Sequence, residues 1–377
     1  MARVLVFVMD SAGVGALPDA AVYGDAPLAN TIGNVAHRLG GLRLPQLEQL
    51  GIGRITDIRG VFPAASPLAA VGRLAEQSQG KDTITGHWEM AGIVTEVPFP
   101  TYPAGFPSDV VEKFAAICGR EPLGNVPASG TEIIAQLGAE HQLSGRPILY
   151  TSADSVFQVA AHEATVPLAE LYGWCEQARA MLVPPHAVNR VIARPFTGTP
   201  GNYARTPNRR DYALPPPPSV LDHLAAANIP VHAVGKICDI YCGHGIASSV
   251  RVIDNADAIE KALDIADATE HGFVFVNLND FDSKFGHRRD VRGYGEALER
   301  LDAAIPAIRA RIRPGDGLFF TADHGCDPTA PGTDHTREFV PFIEYGSAAG
   351  ADVGVVKGLG YIGERVSAIL EPARALL

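Results

Sequence analysis

The chain has 377 residues, of which 46% are hydrophobic, so it can bury a sizeable core and its length favours two domains. A formal net charge of −11 argues against nucleic-acid binding, and any anionic substrate would need a local basic pocket. Five cysteines, a low and odd number, favour reduced thiols in a cytoplasmic protein, and no apolar run approaches the roughly twenty residues of a membrane span.

Short apolar runs alternate with helical stretches along the chain. Four β-rich runs predict buried parallel strands, at residues 3–9, 229–235, 272–278 and 317–322. Helices are predicted between these runs, notably over residues 255–268 and 295–312, and Pro306 is expected to kink the second helix. This alternation predicts an α/β fold with a mostly parallel sheet flanked by helices.

Two proline-rich segments interrupt this pattern, at residues 97–107 and 213–220. Paired interruptions of this kind indicate an inserted domain that is joined to its host by two crossings. We therefore predict a catalytic core at residues 1–98 and 215–377, with a smaller inserted α/β cap domain at residues 99–214.

Acidic residues follow three of the predicted strands. Asp10 ends the first strand, Asp280 and Asp282 follow the third, and Asp323 follows the fourth together with His324. Ligands of open α/β sheets bind outside the carboxyl ends of the strands, so these side chains should meet at one edge of the sheet. Because unpaired carboxylates repel one another, a bound cation would be expected among them.

Two histidines stand near these carboxylates in the sequence. His287 is five residues after Asp282, and His335 is eleven residues after His324. Taken singly, an aspartate after a strand usually caps a helix, and a histidine in a loop is usually polar surface. The repetition at three strand ends favours a two-metal site instead. Mixed carboxylate and imidazole ligands suit Mn, Zn, Fe or Co better than Ca.

The stretch GKDTITGHWE, residues 80–89, contains two threonines, Thr83 and Thr85, beside Lys81 and Asp82. Taken alone, it is best interpreted as a polar turn in which threonine and aspartate cap a helix. Beside a metal centre, however, either hydroxyl could act as a nucleophile. In an extended chain residues two apart face the same side, so their spacing does not distinguish the two threonines.

Seven segments together resemble the phosphopentomutase family of the alkaline phosphatase superfamily: FVMDSAGVGALPDA, GKDTITGHWE, YTSADSVFQ, RVIARPF, DFDSKFGHRRD, TADHGCDPT and DHTREFVP. The resemblance runs from the first strand to the last metal histidine. It implies an isomerase that interconverts ribose 1-phosphate and ribose 5-phosphate, and their deoxyribose counterparts. It also implies two Mn ions per chain and small-molecule pentose phosphates as partners.

The resemblance implies a ligand set for each metal, namely Asp10, Asp323 and His324 for one and Asp282, His287 and His335 for the other. Asp280 is excluded, because the family spacing to the histidine fits Asp282. Thr83 would carry the transferred phosphate, because it stands three residues before Gly86, as the nucleophilic serine of the related phosphoglycerate mutases stands before its Gly-His pair. Glucose 1,6-bisphosphate or a similar bisphosphate would prime the enzyme.

The resemblance further implies residues that bind the sugar and the phosphate that is not reacting: Asp154, Arg190, Ile192, Arg205 and Lys236. Asp154 would accept hydrogen bonds from ribose hydroxyls. An arginine matches the edge of a phosphate with two hydrogen bonds, whereas a lysine acts as a point charge. Arg209 and Arg210 are predicted to be ordinary surface residues.

Three other functions compete with this one: a phosphatase or phosphodiesterase of the same superfamily, a cofactor-independent phosphoglycerate mutase, and a non-catalytic protein that binds sugar phosphates. The long insertion argues against the first, because it can close over the site and exclude water. The second usually has serine where this chain has threonine. The third leaves complete ligand sets around a candidate nucleophile unexplained.

Overall fold

The computed structural model describes most of the chain, namely residues 2–152, 154–346 and 349–371. Its contacts divide the chain into two compact units. Met1–Val97 with Pro216–Leu377 is here called the core unit, and Pro98–Pro215 the cap unit. Each boundary lies one residue from the position expected from the proline-rich segments.

The strands, numbered in chain order, are β1 (Arg3–Met9), β2 (Ala69–Ala75), β3 (Leu123–Pro127), β4 (Ile148–Thr151), β5 (Val156–His162), β6 (Arg190–Thr199), β7 (Asn202–Arg205), β8 (Arg210–Ala213), β9 (Val231–Val234), β10 (Ser248–Val250), β11 (Gly272–Leu278), β12 (Gly317–Thr321), β13 (Val340–Tyr345) and β14 (Asp352–Lys357).

The α-helices are α1 (Thr31–Leu39), α2 (Pro45–Leu50), α3 (Thr83–Met90), α4 (Ser108–Cys118), α5 (Gly130–Ser144), α6 (Leu168–Met181), α7 (Val220–Ala226), α8 (Ile237–Ile240), α9 (Asn255–Ala268), α10 (Val291–Arg309) and α11 (Tyr361–Leu370). Short 3-10 turns lie at Ala20–Tyr23 and Ile52–Arg54, and a π-helical turn at Phe281–Gly286.

The core unit is built on one eight-stranded sheet with the order β10-β9-β11-β1-β12-β13-β2-β14. The strands from β10 to β12 are parallel, β13 is antiparallel to both of its neighbours, and β14 is parallel to β2. Strands β1, β11 and β12 are buried along their whole length, which explains their continuous runs of apolar residues. The predicted mostly parallel α/β sheet is confirmed.

Several predicted elements match the structure closely. Strands β1 and β11 and helix α9 have the predicted bounds, while β9 is shorter than predicted. Helix α10 begins four residues before the predicted start, because the Asp290 carboxylate caps it by accepting a hydrogen bond from the amide of Gly293 at 2.9 Å. The helix continues past Pro306 to Arg309.

The cap unit contains its own mixed sheet, ordered β3-β4-β5-β6-β7, with β8 also paired to β6. Helices α4 and α6 cover one face, where Phe114 and Trp174 pack against the Phe157 side of the sheet. Helix α5 covers the other face through Ile133 and Ile134. The cap unit therefore has two small cores, one on each face of its sheet.

Candidate active site

The candidate active site lies at the carboxyl ends of three neighbouring core strands. Asp10 follows β1, Asp282 lies in the π-helical turn after β11, and Asp323 and His324 follow β12. The three aspartates and His324 are all buried. Because these strands are adjacent and parallel, the sequence positions that follow them converge on one edge of the sheet.

The structure brings the predicted metal ligands together. Ligand atoms of Asp10, Asp323 and His324 lie within 4.8 Å of one another, and so do those of Asp282, His324 and His335. His324 belongs to both groups, and the centroid of its ring is 4.0 Å from that of His335. The two groups therefore form one continuous cluster.

A third group joins Asp282 and His287 to the thiol of Cys326, again within 4.8 Å. The centroid of the His287 ring is 4.6 Å from that of His335, so His287 lies at the same end of the cluster as the second predicted set. Cys326 was not among the predicted ligands. Burial raises the pKa of its thiol, which donates to the carbonyl of Asp334 at 3.6 Å.

Four buried polar atoms of this cluster lack a hydrogen bond of good geometry, although each lies within 3.5 Å of an ionisable atom of another residue. Oδ1 of Asp10, Oδ1 of Asp282, Oδ2 of Asp323 and Nε2 of His335 have no hydrogen bond of good geometry to any described residue. Leaving such an atom unsatisfied costs about 1–3 kcal/mol, and more for a charged group. Four of them in one mixed cluster of carboxylate and imidazole groups fit bound divalent cations.

The carboxylates of the cluster also crowd one another electrostatically. Burial, reinforced by the charges of Asp323 and Asp282, raises the pKa of Asp10 to about 8. Burial would likewise raise the pKa of Asp282, but the imidazoles of His335 and His324 lower it to about 2. Burial and the neighbouring carboxylates thus oppose ionisation of Asp10, which a bound cation would favour.

Thr83 and Thr85 occupy different environments. Oγ1 of Thr83 is 3.2 Å from Nε2 of His324. The hydroxyl of Thr85 is fully buried and donates to Oδ2 of Asp82 at 2.5 Å, while Asp82 also caps α3 by accepting from the amide of Ile84. The backbone here is helical rather than extended, so residues two apart point to different sides.

The core unit also contains Lys236, a predicted substrate residue, and Asp280, which was excluded from the metal ligands. Lys236 immediately precedes α8, is half-buried, and its charge lowers the pKa of Asp10, so it lies near the cluster. Asp280 is outside the metal groups of the described residues: its carboxylate pairs with Lys284 at 3.1 Å and accepts from the amide of Asn255.

The remaining predicted substrate residues line one cleft of about 220 Å³ within the cap unit, and they are Asp154, Arg190, Ile192 and Arg205. Arg209 also lines this cleft, but it is a surface residue as predicted, because 41% of its side chain is exposed and it pairs with Asp211 at 2.5 Å. Arg210 instead lies over the ring of Tyr172.

Arg194 lines the same cleft and was missed in the sequence. It lies on β6 two residues after Ile192 and four after Arg190, and alternate residues of a strand share a face. The period-two pattern of RVIARPF therefore contained the signal.

Comparisons with known proteins agree with this geometry. The sequence model of the metalloenzyme superfamily matches residues 2–371. A phosphopentomutase from Caldanaerobacter subterraneus subsp. tengcongensis is 54% identical, with 91% of this chain and 87% of that protein covered. One from Symbiobacterium thermophilum is 55% identical, with 98% and 94% covered. This chain belongs to the phosphopentomutase family. The resemblance in its motifs is confirmed.

Membership of the phosphopentomutase family makes the chain a metal-dependent isomerase of the phosphotransferase type that acts on small sugar phosphates. Among solved structures, the PH0037 protein from Pyrococcus horikoshii aligns with a TM-score of 0.51 at 14% identity, covering 98% of this chain and 97% of that one. It supports the α/β fold predicted for an alkaline-phosphatase-like core. None of the described helices combines the length and hydropathy required to cross a bilayer.

Two contacts to aspartates of the cluster were not predicted from the sequence. His87, one turn after Thr83 on α3, is fully buried, and its Nδ1 lies 3.1 Å from Oδ2 of Asp323 and 2.9 Å from the carbonyl of Thr83. Asn277 donates to Oδ2 of Asp10 at 2.8 Å. These contacts fix two aspartates of the cluster, and the i, i+4 spacing of Thr83 and His87 was the available signal.

Two basic residues connect the segment before Thr83 to the segment that carries His335. Nζ of Lys81 pairs with Asp25 at 2.7 Å and with Asp334 at 3.0 Å. Arg337 is buried, and its guanidinium donates to the carbonyls of Ser78 and Gly80 at 2.8 and 2.7 Å. The sequence alone assigned no role to Lys81 or Arg337, because a basic residue beside a motif has the same sequence pattern whether it forms an ion pair or is solvated.

Proposed function

We propose that this chain interconverts ribose 1-phosphate and ribose 5-phosphate, and the deoxyribose equivalents, through a phosphorylated Thr83 beside a two-metal site. The observation that carries the proposal is the 3.2 Å distance from Oγ1 of Thr83 to Nε2 of His324, within a buried cluster of carboxylates and imidazoles. Family membership supplies the reaction class, and this distance supports Thr83 as the group that takes part in it.

The metals would be two Mn ions per chain, held by Asp10, Asp323 and His324 and by Asp282, His287 and His335. The members of the second set are divided in the structure between two groups that share Asp282. The four buried atoms that lack a hydrogen bond of good geometry support this assignment. When bound, such cations lower the pKa of a nearby hydroxyl and offset the charge of a phosphate. Glucose 1,6-bisphosphate or a similar bisphosphate would place the first phosphate on Thr83.

The chain's own residues then govern the exchange. Thr83 gives its phosphate to the free hydroxyl of the pentose phosphate, and a bisphosphate results. The bisphosphate turns round, and the hydroxyl of Thr83 takes back the other phosphate. Thr83 is the first residue of α3, where the helix dipole favours negative charge. Nδ1 of His87 contacts both the carbonyl of Thr83 and the carboxylate of Asp323, so it links the threonine to the metal cluster.

The phosphate that is not reacting would be bound by Arg190 and Arg205 in the cap cleft, with Asp154 and Ile192 against the sugar. Lys236 belongs to the core unit, and its assignment to the substrate rests on the family resemblance alone. Guanidinium groups suit this task, because their fork of N–H donors matches two oxygens of a phosphate.

Arg205→Ala is expected to lower kcat/KM for ribose 5-phosphate by about tenfold or more, since a hydrogen bond to a charged group contributes about 1.5–3 kcal/mol. Metal content should stay at the wild-type level, and release of inorganic phosphate should rise because a poorly held bisphosphate escapes. Arg210→Ala is the matched control, because that guanidinium lies over Tyr172 rather than lining the cleft. Equal kinetics in both variants would place the phosphate elsewhere.

The function itself is tested by following ribose 5-phosphate formation from ribose 1-phosphate, with Mn and glucose 1,6-bisphosphate present. Rapid isomerisation with little free phosphate is the expected result. Release of inorganic phosphate as the main product would identify a phosphatase instead. Conversion of 3-phosphoglycerate, but not of the pentose phosphates, would identify a phosphoglycerate mutase.

A further inference from the structure

The cap cleft is built on one face of the cap sheet, at the beginning of α5. Tyr150 on β4 lies opposite Gln158 on β5, and Gln158 lies opposite Ile192 on β6. Gln158 also accepts a hydrogen bond from Nε of Arg194 at 3.1 Å. Because α5 covers this same face, its first residue, Gly130, lines the cleft as well.

Gly130 lets two polar groups approach the first turn of α5. A methyl group at this position would overlap both Nη2 of Arg205 and Oη of Tyr150. The preceding residue, Ser129, does not cap the helix with its side chain, and its hydroxyl lies 2.9 Å from that of Thr131 instead. The first amides of any helix lack carbonyl partners within it, so a fifteen-residue helix offers donors and a positive dipole end here.

The Tyr150 hydroxyl lacks a partner. The side chain is 1% exposed, and Oη has no hydrogen bond to any described residue. Burial raises the pKa of this hydroxyl, although the charges of Arg194 and Arg205 oppose the rise, so the oxygen keeps its proton and can act as a donor. Buried tyrosine hydroxyls normally find a partner. This one is directed at the first turn of α5 instead.

Two guanidinium groups at this point have no ion-pair partner among the described residues, although the charge of Asp211 acts on Arg194. No acidic side chain in the described residues forms an ion pair with Arg194 or Arg205, whereas Arg209 is paired with Asp211. Burial, with the charges of Arg209 and Arg205, lowers the pKa of Arg194, as expected where cations crowd one another. An anion bound here would relieve that repulsion and supply the missing acceptor for Tyr150.

We propose that the first turn of α5, the Tyr150 hydroxyl and the guanidinium groups of Arg194 and Arg205 form one binding site for a phosphate monoester dianion. We name it the α5 phosphate site. It rests on the proposed function and specifies how the phosphate that is not reacting is held: the helix amides, Tyr150 and the two guanidinium groups all donate to its oxygens. Tyr150 and Arg194 are thus substrate-binding residues beyond those predicted from the sequence.

Tyr150→Phe tests the site, because it removes only the unpartnered hydroxyl. We expect the dissociation constant for ribose 5-phosphate to rise about tenfold, the loss typical of one hydrogen bond to a charged group. Titration calorimetry on Mn-loaded protein without a bisphosphate primer measures it. The melting temperature of the variant without ligand should equal or exceed that of the wild type, because the hydroxyl that is removed makes no hydrogen bond in the folded protein.

Tyr203→Phe is the matched control, because that hydroxyl already donates to Gln142 at 2.6 Å and Tyr203 does not line the cleft. It should bind ribose 5-phosphate as the wild type does. Arg194→Gln and Gly130→Ala should each weaken binding at least as much as Tyr150→Phe, the second by placing a methyl group where the phosphate site needs space.

Unchanged affinity in Tyr150→Phe and Arg194→Gln would overturn the α5 phosphate site. So would a lower melting temperature in Tyr150→Phe with unchanged affinity, which would make the hydroxyl structural. Neither result would affect the proposed function if the wild type still isomerises pentose phosphates. The opposite outcome would keep the site and overturn the function. In that case the wild type would bind ribose 5-phosphate without isomerising it, and both variants would bind it more weakly.

Discussion

Replacing Thr83 with alanine is expected to lower kcat by roughly 10⁴-fold or more, the scale of losing a covalent nucleophile. Metal content should be retained because Thr83 is not among the assigned metal ligands, and ribose 5-phosphate binding because Thr83 does not line the cap cleft. Peptide mass spectrometry after incubation with glucose 1,6-bisphosphate should find phosphate on residue 83 of the wild type and none on the variant.

The control is Thr85→Ala, which removes the other hydroxyl of the same stretch. That hydroxyl donates a hydrogen bond to Asp82 at the start of α3, so its loss should lower the free energy of unfolding by about 1 kcal/mol, as for a helix cap. Measurable turnover should remain. Thr83→Ser should restore part of the activity. Phosphate found on Thr85, or normal turnover in Thr83→Ala, would show that the nucleophile is misassigned.

Asp282→Asn is expected to lower metal affinity by at least about 100-fold, since losing even an outer partner of a metal ligand costs 10–100-fold. Turnover should fall by roughly 10³-fold, because several kcal/mol of charge stabilisation would be lost. In the wild type, Mn at 100 times its dissociation constant should raise the free energy of unfolding by about 2.7 kcal/mol. The variant should lose most of this gain. Metal analysis and thermal unfolding with and without Mn measure both effects.

Asp280→Asn provides the comparison two residues away, because its carboxylate pairs with Lys284 and lies outside the metal groups described here. It should keep its metal, its Mn-dependent stability and most of its activity. His335→Ala should behave like Asp282→Asn. Full metal content with a normal rate in either ligand variant would contradict the assigned ligand set.

The core strands could be predicted because the signal is strong and local. Strands β1 and β11 are continuous runs of valine, phenylalanine and leucine that are buried on both faces, and both were located to the residue. Strand β2 was missed because Gly72 and Arg73 interrupt its apolar run. Strand β13 was also missed, and its antiparallel pairing on both sides depends on contacts that are distant in sequence.

Some residues of the candidate site could likewise be predicted from the sequence, whereas others could not. The aspartates at the strand ends could be found because the strands that deliver them are predictable and parallel. The resemblance favoured Thr83 over Thr85, but the residues alone did not distinguish them. The structure adds that the cap of α3 at Asp82 engages the Thr85 hydroxyl, while that of Thr83 lies beside His324. Tyr150 could not be found at all, because its hydroxyl matters only through packing against Gly130, twenty residues earlier in the chain.

The contacts of Arg337 order the backbone before Thr83 in advance of substrate binding. Because its guanidinium holds the carbonyls of Ser78 and Gly80, the backbone leading to Thr83 is fixed when the protein folds. The entropic cost of ordering a loop residue, about 1–2 kcal/mol each, is then met once in folding. A substrate would then meet the proposed nucleophile, Thr83, on an ordered backbone, and its binding energy could be used for orienting the phosphate rather than for closing a loop.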